Sequence, residues 1–285
     1  MHSVADIPTL RAQLAQWRHA GERIAFVPTM GNLHAGHYSL ITLARERAER
    51  VVASIFVNPT QFGPHEDFDR YPRTPETDAH GLSEHGCDLL FRPSAKNVYP
   101  FGVDRCVQVR VPGLTDELDG AARPGHFDGV TTVVLRLFNM VQPDLAVFGR
   151  KDYQQWRVID YMVRELSLPI DIVAAPIQRD QDGLALSSRN QYLSASQRAI
   201  APELYRSLQA LRLQWRAGVP LEHVESEAAA RLAMAGFEVD YVQIRRAHDL
   251  SRPSAEEHER LVVLAAARLG HTRLIDNLEL GDRTA

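Results

Sequence analysis

Two histidines three residues apart, His34 and His37, close the stretch Ile24-Ala-Phe-Val-Pro-Thr-Met-Gly-Asn-Leu-His-Ala-Gly-His of a 285-residue chain. Imidazoles at that spacing can donate to phosphate oxygens as negative charge builds on a leaving pyrophosphate. That role suits a strand feeding a helix, because free N–H groups and the helix dipole favour phosphate at a helix N-terminus. Gly36 removes a side chain where a ligand would otherwise meet the backbone. Two other roles are open to the pair. Histidines can merely cap a helix, and they can ligate zinc, although no carboxylate pair accompanies them.

Further polar clusters recur along the chain. Phe148-Gly-Arg-Lys-Asp-Tyr-Gln-Gln follows an apolar run: Gly149 permits close approach, Lys151 offers a mobile cation and Asp152 an acceptor for ribose hydroxyls. Gly183-Leu-Ala-Leu-Ser-Ser-Arg-Asn supplies Ser187, Ser188 and Arg189, two hydroxyls and a guanidinium suited to a triphosphate. Asn58-Pro-Thr-Gln and Arg123-Pro-Gly-His-Phe add amides and a cation. Each cluster has a plainer counterpart, namely a solvated Lys-Asp pair, serines capping a helix, or turns. Five polar clusters at strand ends or helix starts of one sheet favour a ligand site.

The elements that must position these groups follow from hydrophobic period. Residues 6–20 read as a helix, 24–27 as a buried strand ended by Pro28, and the region from His37 as a helix with apolar steps out to Val51. Strands follow at 51–57, 87–91 and 145–148, with 106–111 alternating like an edge strand. A polar loop spans 61–77. Helices are expected at 76–85, 131–140 and 153–165, and 170–174 closes the series. Strands alternating with helices predict a doubly wound parallel sheet whose ligands sit beyond the strand C-termini. The character changes near residue 177. A long helix over 194–216, a second over 222–235, strands at 239–244 and 261–266 and a basic-apolar tail at 272–280 predict a smaller α+β domain. The expected domains are therefore 1–177 and 178–285.

Composition narrows the function classes. The apolar fraction of 45%, the charged fraction of 24% and the net charge of −4 belong to an ordinary globular protein and disfavour nucleic acid as a partner. No apolar stretch approaches a membrane span, and the first residues read as an amphipathic helix rather than a signal peptide. Cys87 and Cys106 form no metal or redox motif, as expected of reduced thiols in a cytoplasmic protein.

Taken together the motifs resemble the pantothenate synthetase (pantoate–β-alanine ligase) family. The likeness covers most of the chain, through Pro28-Thr-Met-Gly-Asn-Leu-His-Ala-Gly-His, Phe56-Val-Asn-Pro-Thr-Gln-Phe, Tyr71-Pro-Arg-Thr, Arg123-Pro-Gly-His-Phe, Gln142-Pro-Asp, Lys151-Asp-Tyr-Gln-Gln and Gly183-Leu-Ala-Leu-Ser-Ser-Arg-Asn. The His-x-Gly-His and Ser-Ser-Arg pieces are similar to those of a wider nucleotidylyl transferase superfamily with a Rossmann-like sheet. The resemblance implies an ATP- and magnesium-dependent ligase of coenzyme A biosynthesis, in which pantoate and ATP give a pantoyl adenylate that β-alanine then attacks. It assigns His34, His37, Lys151 and Arg189 to catalysis. ATP would contact Pro28, Thr29, Met30, Gly31, both histidines, Gly149, Lys151, Asp152, Leu186, Ser187, Ser188 and Arg189. Pantoate would contact Met30, Asn58, Gln61, Arg123, His126 and Gln155, and Asp78 would approach magnesium. A homodimer formed by the first domain and a capping second domain are also implied. Arg150 stands where the family usually has an acidic residue or Gln, and Leu186 where it usually has Met.

Two rivals make different demands. A nucleotidylyl transferase acting on a phosphorylated acceptor would need extra cations where Gln61 and Gln155 stand. A nucleotide-sensing regulator on the same fold predicts lost catalytic positions, yet His34, His37, Lys151 and Arg189 are all present.

Overall fold

The computed structural model describes residues 1–63, 68–254, 257 and 260–281, so part of the loop expected at 61–77 lies outside the described residues. The chain divides into two compact units: Met1–Arg150 with Val158–Pro176, and Lys151–Arg157 with Ile177–Ala285.

The first unit runs β1 (His2–Val4), α1 (Ile7–His19), β2 (Ile24–Thr29), α2 (Ala35–Arg45), β3 (Arg50–Ile55), α3 (Pro75–Glu84), β4 (Leu89–Phe91), α4 (Ala95–Val98), α5 (Asp119–Ala122), α6 (His126–Val141) and β5 (Leu145–Gly149). Helix α7 (Tyr153–Glu165) begins in the second unit and ends in the first, which β6 (Asp171–Ala175) completes. The six-stranded sheet has the order β1-β4-β3-β2-β5-β6, and its ladders are all parallel. The chain moves outward from β2 through β3 to β4, then returns to place β5 on the other side of β2. The order therefore reverses between β2 and β5, and ligands of such sheets bind beyond the strand ends at that point.

Apolar side chains fill both faces. Ala25, Val27, Ile41, Ala44, Ala53 and Val147 pack under α2 on one side. On the other, Phe138 of α6 makes edge contacts with Phe26 and Phe148, each at 6.3 Å. Asp6 caps α1 by accepting from the Thr9 amide at 2.8 Å. Arg18, in the last turn of α1, donates to the carbonyls of Val141 and Gln142 at 2.7 Å each, covering carbonyls that the end of α6 would leave open.

Three expectations for this unit need correction. The edge strand is β1, paired with β4, whereas 106–111 forms no described strand. Its backbone is taken by hydroxyls of α6: the Val109 amide donates to Thr132 Oγ1 at 2.9 Å, and Thr131 Oγ1 donates to the Val109 carbonyl at 2.5 Å. Helix α2 ends at Arg45 and Val51 belongs to β3. Pro28 does not end β2, because a parallel ladder continues through it to Thr29. Proline lacks only the amide donor, and its fixed φ suits extended backbone at a strand end.

In the second unit, α8 (Ala195–Ile200), α9 (Glu203–Arg216) and α10 (Leu221–Met234) precede β7 (Glu238–Arg246), β8 (Leu261–Leu269) and β9 (Thr272–Glu279). The strands form an antiparallel sheet in that order. The helix expected over 194–216 is two helices, interrupted at Pro202, where a missing N–H breaks the bond ladder. The basic-apolar tail is β9. Trp215, Leu208, Leu211, Val224 and Leu232 pack on Ile244, Val263 and Ala265 to form the core.

Candidate active site

The turn leaving β2 is shaped by two residues in left-handed backbone, Gly31 (φ +86°) and Asn32 (φ 52°). A Cβ at Gly31 would sit 3.1 Å from both Asp78 Oδ2 and Ile55 Cγ2, so both φ and space select glycine. Asp78 of α3, fully buried, holds the turn: Oδ2 accepts from the Asn32 amide at 2.9 Å, and Oδ1 from the Leu33 amide at 2.8 Å and Thr74 Oγ1 at 3.0 Å. The residue expected near magnesium is thus an anchor for the loop carrying Met30 and His34. Among the described residues, no group of three or more His, Cys, Asp or Glu side chains could hold a metal ion.

His34 is the N-cap of α2, with Nδ1 accepting from the Gly36 amide at 3.1 Å. His37 Nδ1 accepts from the His34 amide at 3.4 Å, and the ring centroids lie 4.1 Å apart. Both Nδ1 atoms therefore use their lone pairs, which assigns the proton of each neutral ring to Nε2. Capping is compatible with phosphate binding, because it engages Nδ1 and not Nε2.

Beyond β3, a 3-10 turn at Pro59–Gln61 carries the second cluster. Buried Asn58 donates to Gln61 Oε1 at 3.1 Å and to the Gly129 carbonyl at 3.2 Å. The Tyr99 hydroxyl donates to Asn58 Oδ1 at 2.7 Å. These bonds turn the Gln61 amide so that Nε2 lies 3.2 Å from Met30 Sδ, joining an amide and a thioether from two strand exits. Arg123 Nη1 donates to His126 Nε2 at 2.8 Å, and His126 Nδ1 in turn donates to the Gln61 carbonyl at 2.8 Å. Arginine has no acceptor, so this neutral ring carries its proton on Nδ1. Helix α6 reaches the turn because residue 129 is glycine: a Cβ there would stand 2.3 Å from the Thr60 carbonyl oxygen.

Gly149 ends β5, and a Cβ there would meet only Leu40 Cδ2, at 3.9 Å. Lys151 and Asp152 follow in a 3-10 turn, their charged ends 3.5 Å apart. Lys151, Asp152 and half-buried Gln155 are counted with the second unit. So are Leu186, Ser187, Ser188 and Arg189. Ser187 caps the short helix Ser188–Tyr192 by accepting from the Arg189 amide at 3.3 Å, and Asn190 Nδ2 donates to the Ala185 carbonyl at 3.0 Å.

Sequence reasoning missed Tyr99, Gly129 and the anchoring work of Asp78. A glycine inside an apolar helix was the one visible signal, since it signals close approach. Cys87 and Cys106 are free thiols. Among the described residues, no helix is long and apolar enough to cross a membrane.

A parallel sheet reversing at β2 and β5, with Nε2-protonated histidines starting the helix after β2, defines the α/β nucleotide-binding class with a His-x-Gly-His signature. Comparison with known proteins narrows the class. Residues 2–279 match the family model described as pantoate-beta-alanine ligase, and the chain belongs to that family. It is 59% identical over 274 residues to a pantothenate synthetase of Stenotrophomonas maltophilia, covering 96% of this chain and 98% of the relative. The pantothenate synthetase of Thermus thermophilus superposes with a TM-score of 0.92 at 46% identity, covering 99% and 100% of the two chains. A pantoate-beta-alanine ligase of Francisella tularensis, complexed with beta-gamma ATP and beta-alanine, matches with a TM-score of 0.81 at 32% identity over 98% of each chain.

Proposed function

We propose that this protein condenses pantoate with β-alanine, using ATP, to give pantothenate, AMP and pyrophosphate. A pantoate carboxylate oxygen attacks the α-phosphorus, the bond to the β-phosphate oxygen breaks, and pyrophosphate leaves. The neutral β-alanine amine then attacks the acyl carbon, the acyl–oxygen bond to AMP breaks, and the amine loses a proton. The substrate supplies the carboxylate, so the protein needs no nucleophile of its own and works by positioning and charge stabilisation.

The observation that carries this reading is the joining of two strand exits: the loop bearing His34 and His37 also bears Met30, whose sulfur touches the Gln61 amide. The histidine Nε2–H groups act on ATP phosphates, with His34 first at the α-phosphate. Gln61 serves the pantoate hydroxyl and carboxylate, Asn58 borders pantoate and orients the Gln61 amide, and Met30 lies against the gem-dimethyl group. Gln155 completes the acid's polar contacts, with Arg123 and His126 supporting the Gln61 turn. Lys151, Ser187, Ser188 and Arg189 hold the triphosphate, Pro28, Thr29, Gly31 and Leu186 line ATP, and Gly149 and Asp152 take the ribose. The relative complexed with an ATP analogue and beta-alanine supports both substrates. An acceptor phosphate would call for cations facing it, and the Gln61–Met30 pair is neutral.

Magnesium accompanies ATP as a hard cation on its phosphates. Asp78 would approach it, its carboxylate held in place by the Asn32 and Leu33 amides and the Thr74 hydroxyl. The homodimer, the capping role of 178–285 and a cytoplasmic setting carry over from the resemblance. The test is pantoate-dependent release of pyrophosphate from ATP, followed by AMP release on adding β-alanine. Absence of pyrophosphate with pantoate present overturns the reading.

A further inference from the structure

In the second unit, two adjacent residues of β9 are polar and buried: Asp276 is 3% exposed and Asn277 4%. Successive strand residues face opposite sides of a sheet, so β9 buries polar groups on both faces at one point. Arg179 meets Asp276 with both arms, Nη1 to Oδ2 at 2.6 Å and Nη2 to Oδ1 at 2.8 Å. The guanidinium lies 3.6 Å from the centroid of the Tyr205 ring. Burial pushes the Asp276 carboxyl up from the ordinary carboxylate range, and the arginine fork and the Asn277 amide, 2.7 Å from Oδ1, oppose it. A buried ion pair is weak support for stability, because apolar residues of similar volume fill such a place equally well.

What the group holds is more telling. Arg179 Nη1 also donates to the Gly183 carbonyl at 3.1 Å, and Nη2 to the Asn277 carbonyl at 3.4 Å. Gly183 opens the segment that returns beside 178–180, with the Leu186 amide on the Gln178 carbonyl at 2.9 Å, and delivers Ser187, Ser188 and Arg189. From the other end, Asn277 Nδ2 donates to the Lys151 carbonyl at 3.0 Å. One continuous set of bonds thus runs from the backbone of Lys151, through Asn277, Asp276 and Arg179, to the segment that carries the two serines.

We infer that Asn277 and the Arg179–Asp276 pair are positioning residues for the first half-reaction, fixing the lysine and the serine–arginine segment relative to each other on β9. The inference rests on the reading of Lys151, Ser187, Ser188 and Arg189 as triphosphate ligands. Displacing a correctly held group by about 1 Å can lower a rate about a hundredfold, so loss of one supporting bond is expected to lower it about tenfold.

The test compares Asn277→Ala with the wild-type protein in two assays: single-turnover pyrophosphate release from ATP and pantoate, and pantothenate formation from supplied pantoyl adenylate and β-alanine. We expect about a tenfold loss in the first and less than about a twofold change in the second, with a melting temperature lowered by no more than about 4 °C. In a Lys151→Ala background, the same substitution should add less than about twofold, because the group it positions is gone. Asn277→Ser, too short to reach the Lys151 carbonyl, should match Asn277→Ala. Full activity of Asn277→Ala, equal losses in both half-reactions, a tenfold loss on top of Lys151→Ala, or unfolding of both Asn277 variants overturns the inference. A wild-type protein that releases no pyrophosphate overturns the proposed function instead.

Discussion

His34 uses each ring nitrogen for a different purpose. Nδ1 caps α2 through the Gly36 amide, while Nε2–H is the donor proposed for the α-phosphate. Substitutions separate the two. His34→Asn keeps a cap acceptor, so the melting temperature should hold while pyrophosphate release falls about a hundredfold, the size of losing one preorganised donor. His34→Ala should lose the same activity and a further ~1 kcal/mol of stability with the cap. Normal activity in His34→Asn would leave capping as the whole role. For Lys151→Ala we expect a loss of at least ~2 kcal/mol of transition-state stabilisation in adenylate formation; a near-normal rate would make that lysine peripheral. At this scale the sequence displayed residue types and spacings. Tautomers were not legible, because they depend on which backbone amide each imidazole faces.

Elements decide where those residues stand. The 3-10 turn at Pro59–Gln61 owes its place to α6, which approaches closely because Gly129 has no side chain. Gly129→Ala would push the turn away, so we expect a loss of ~1–3 kcal/mol from overpacking together with a raised KM for pantoate and a KM for ATP nearer to normal. Equal rises in both constants would show a general loss of folding instead. Helices and strands with strong periodicity, such as α7 and β5, were legible. The segment 106–111 was not. It alternates like a strand, but Thr131 and Thr132 of α6 engage its backbone before any strand can. Three residues of β1 carry too little pattern to read, and they become a strand only because β4 offers an open edge.

Across the whole molecule, pH should narrow stability from both sides. Glu22 is held below its ordinary value of 4.5 chiefly by hydrogen bonds from Arg50, and Asp182 below 3.8 by those from Arg198. A depressed folded value gives stabilisation that is present above the unfolded value and lost as pH falls through the folded one. Cys87 runs the other way. Burial pushes its thiol from 9.0 up to about 12, so its contribution is intact below 9 and is lost as pH rises towards 12. The urea midpoint should therefore fall below about pH 4 and again above about pH 9; a midpoint that rises in acid would contradict the first, and one flat to pH 11 the second.

By itself the sequence determined the chemistry-bearing blocks, the alternation of strands and helices and the family likeness, because each is written in contiguous residues. Only the tertiary structure decided that Asp78 anchors a loop, that β1 rather than 106–111 forms the sheet edge, and that on β9 Asn277 binds the Lys151 carbonyl while Asp276 holds the arginine that binds the Gly183 carbonyl. Those outcomes depend on partners dozens to more than a hundred residues away, for Asn277 and Lys151 a separation of 126. No local pattern encodes them. A buried polar group takes the partner that folding brings to it, since leaving it without one is what the interior penalises.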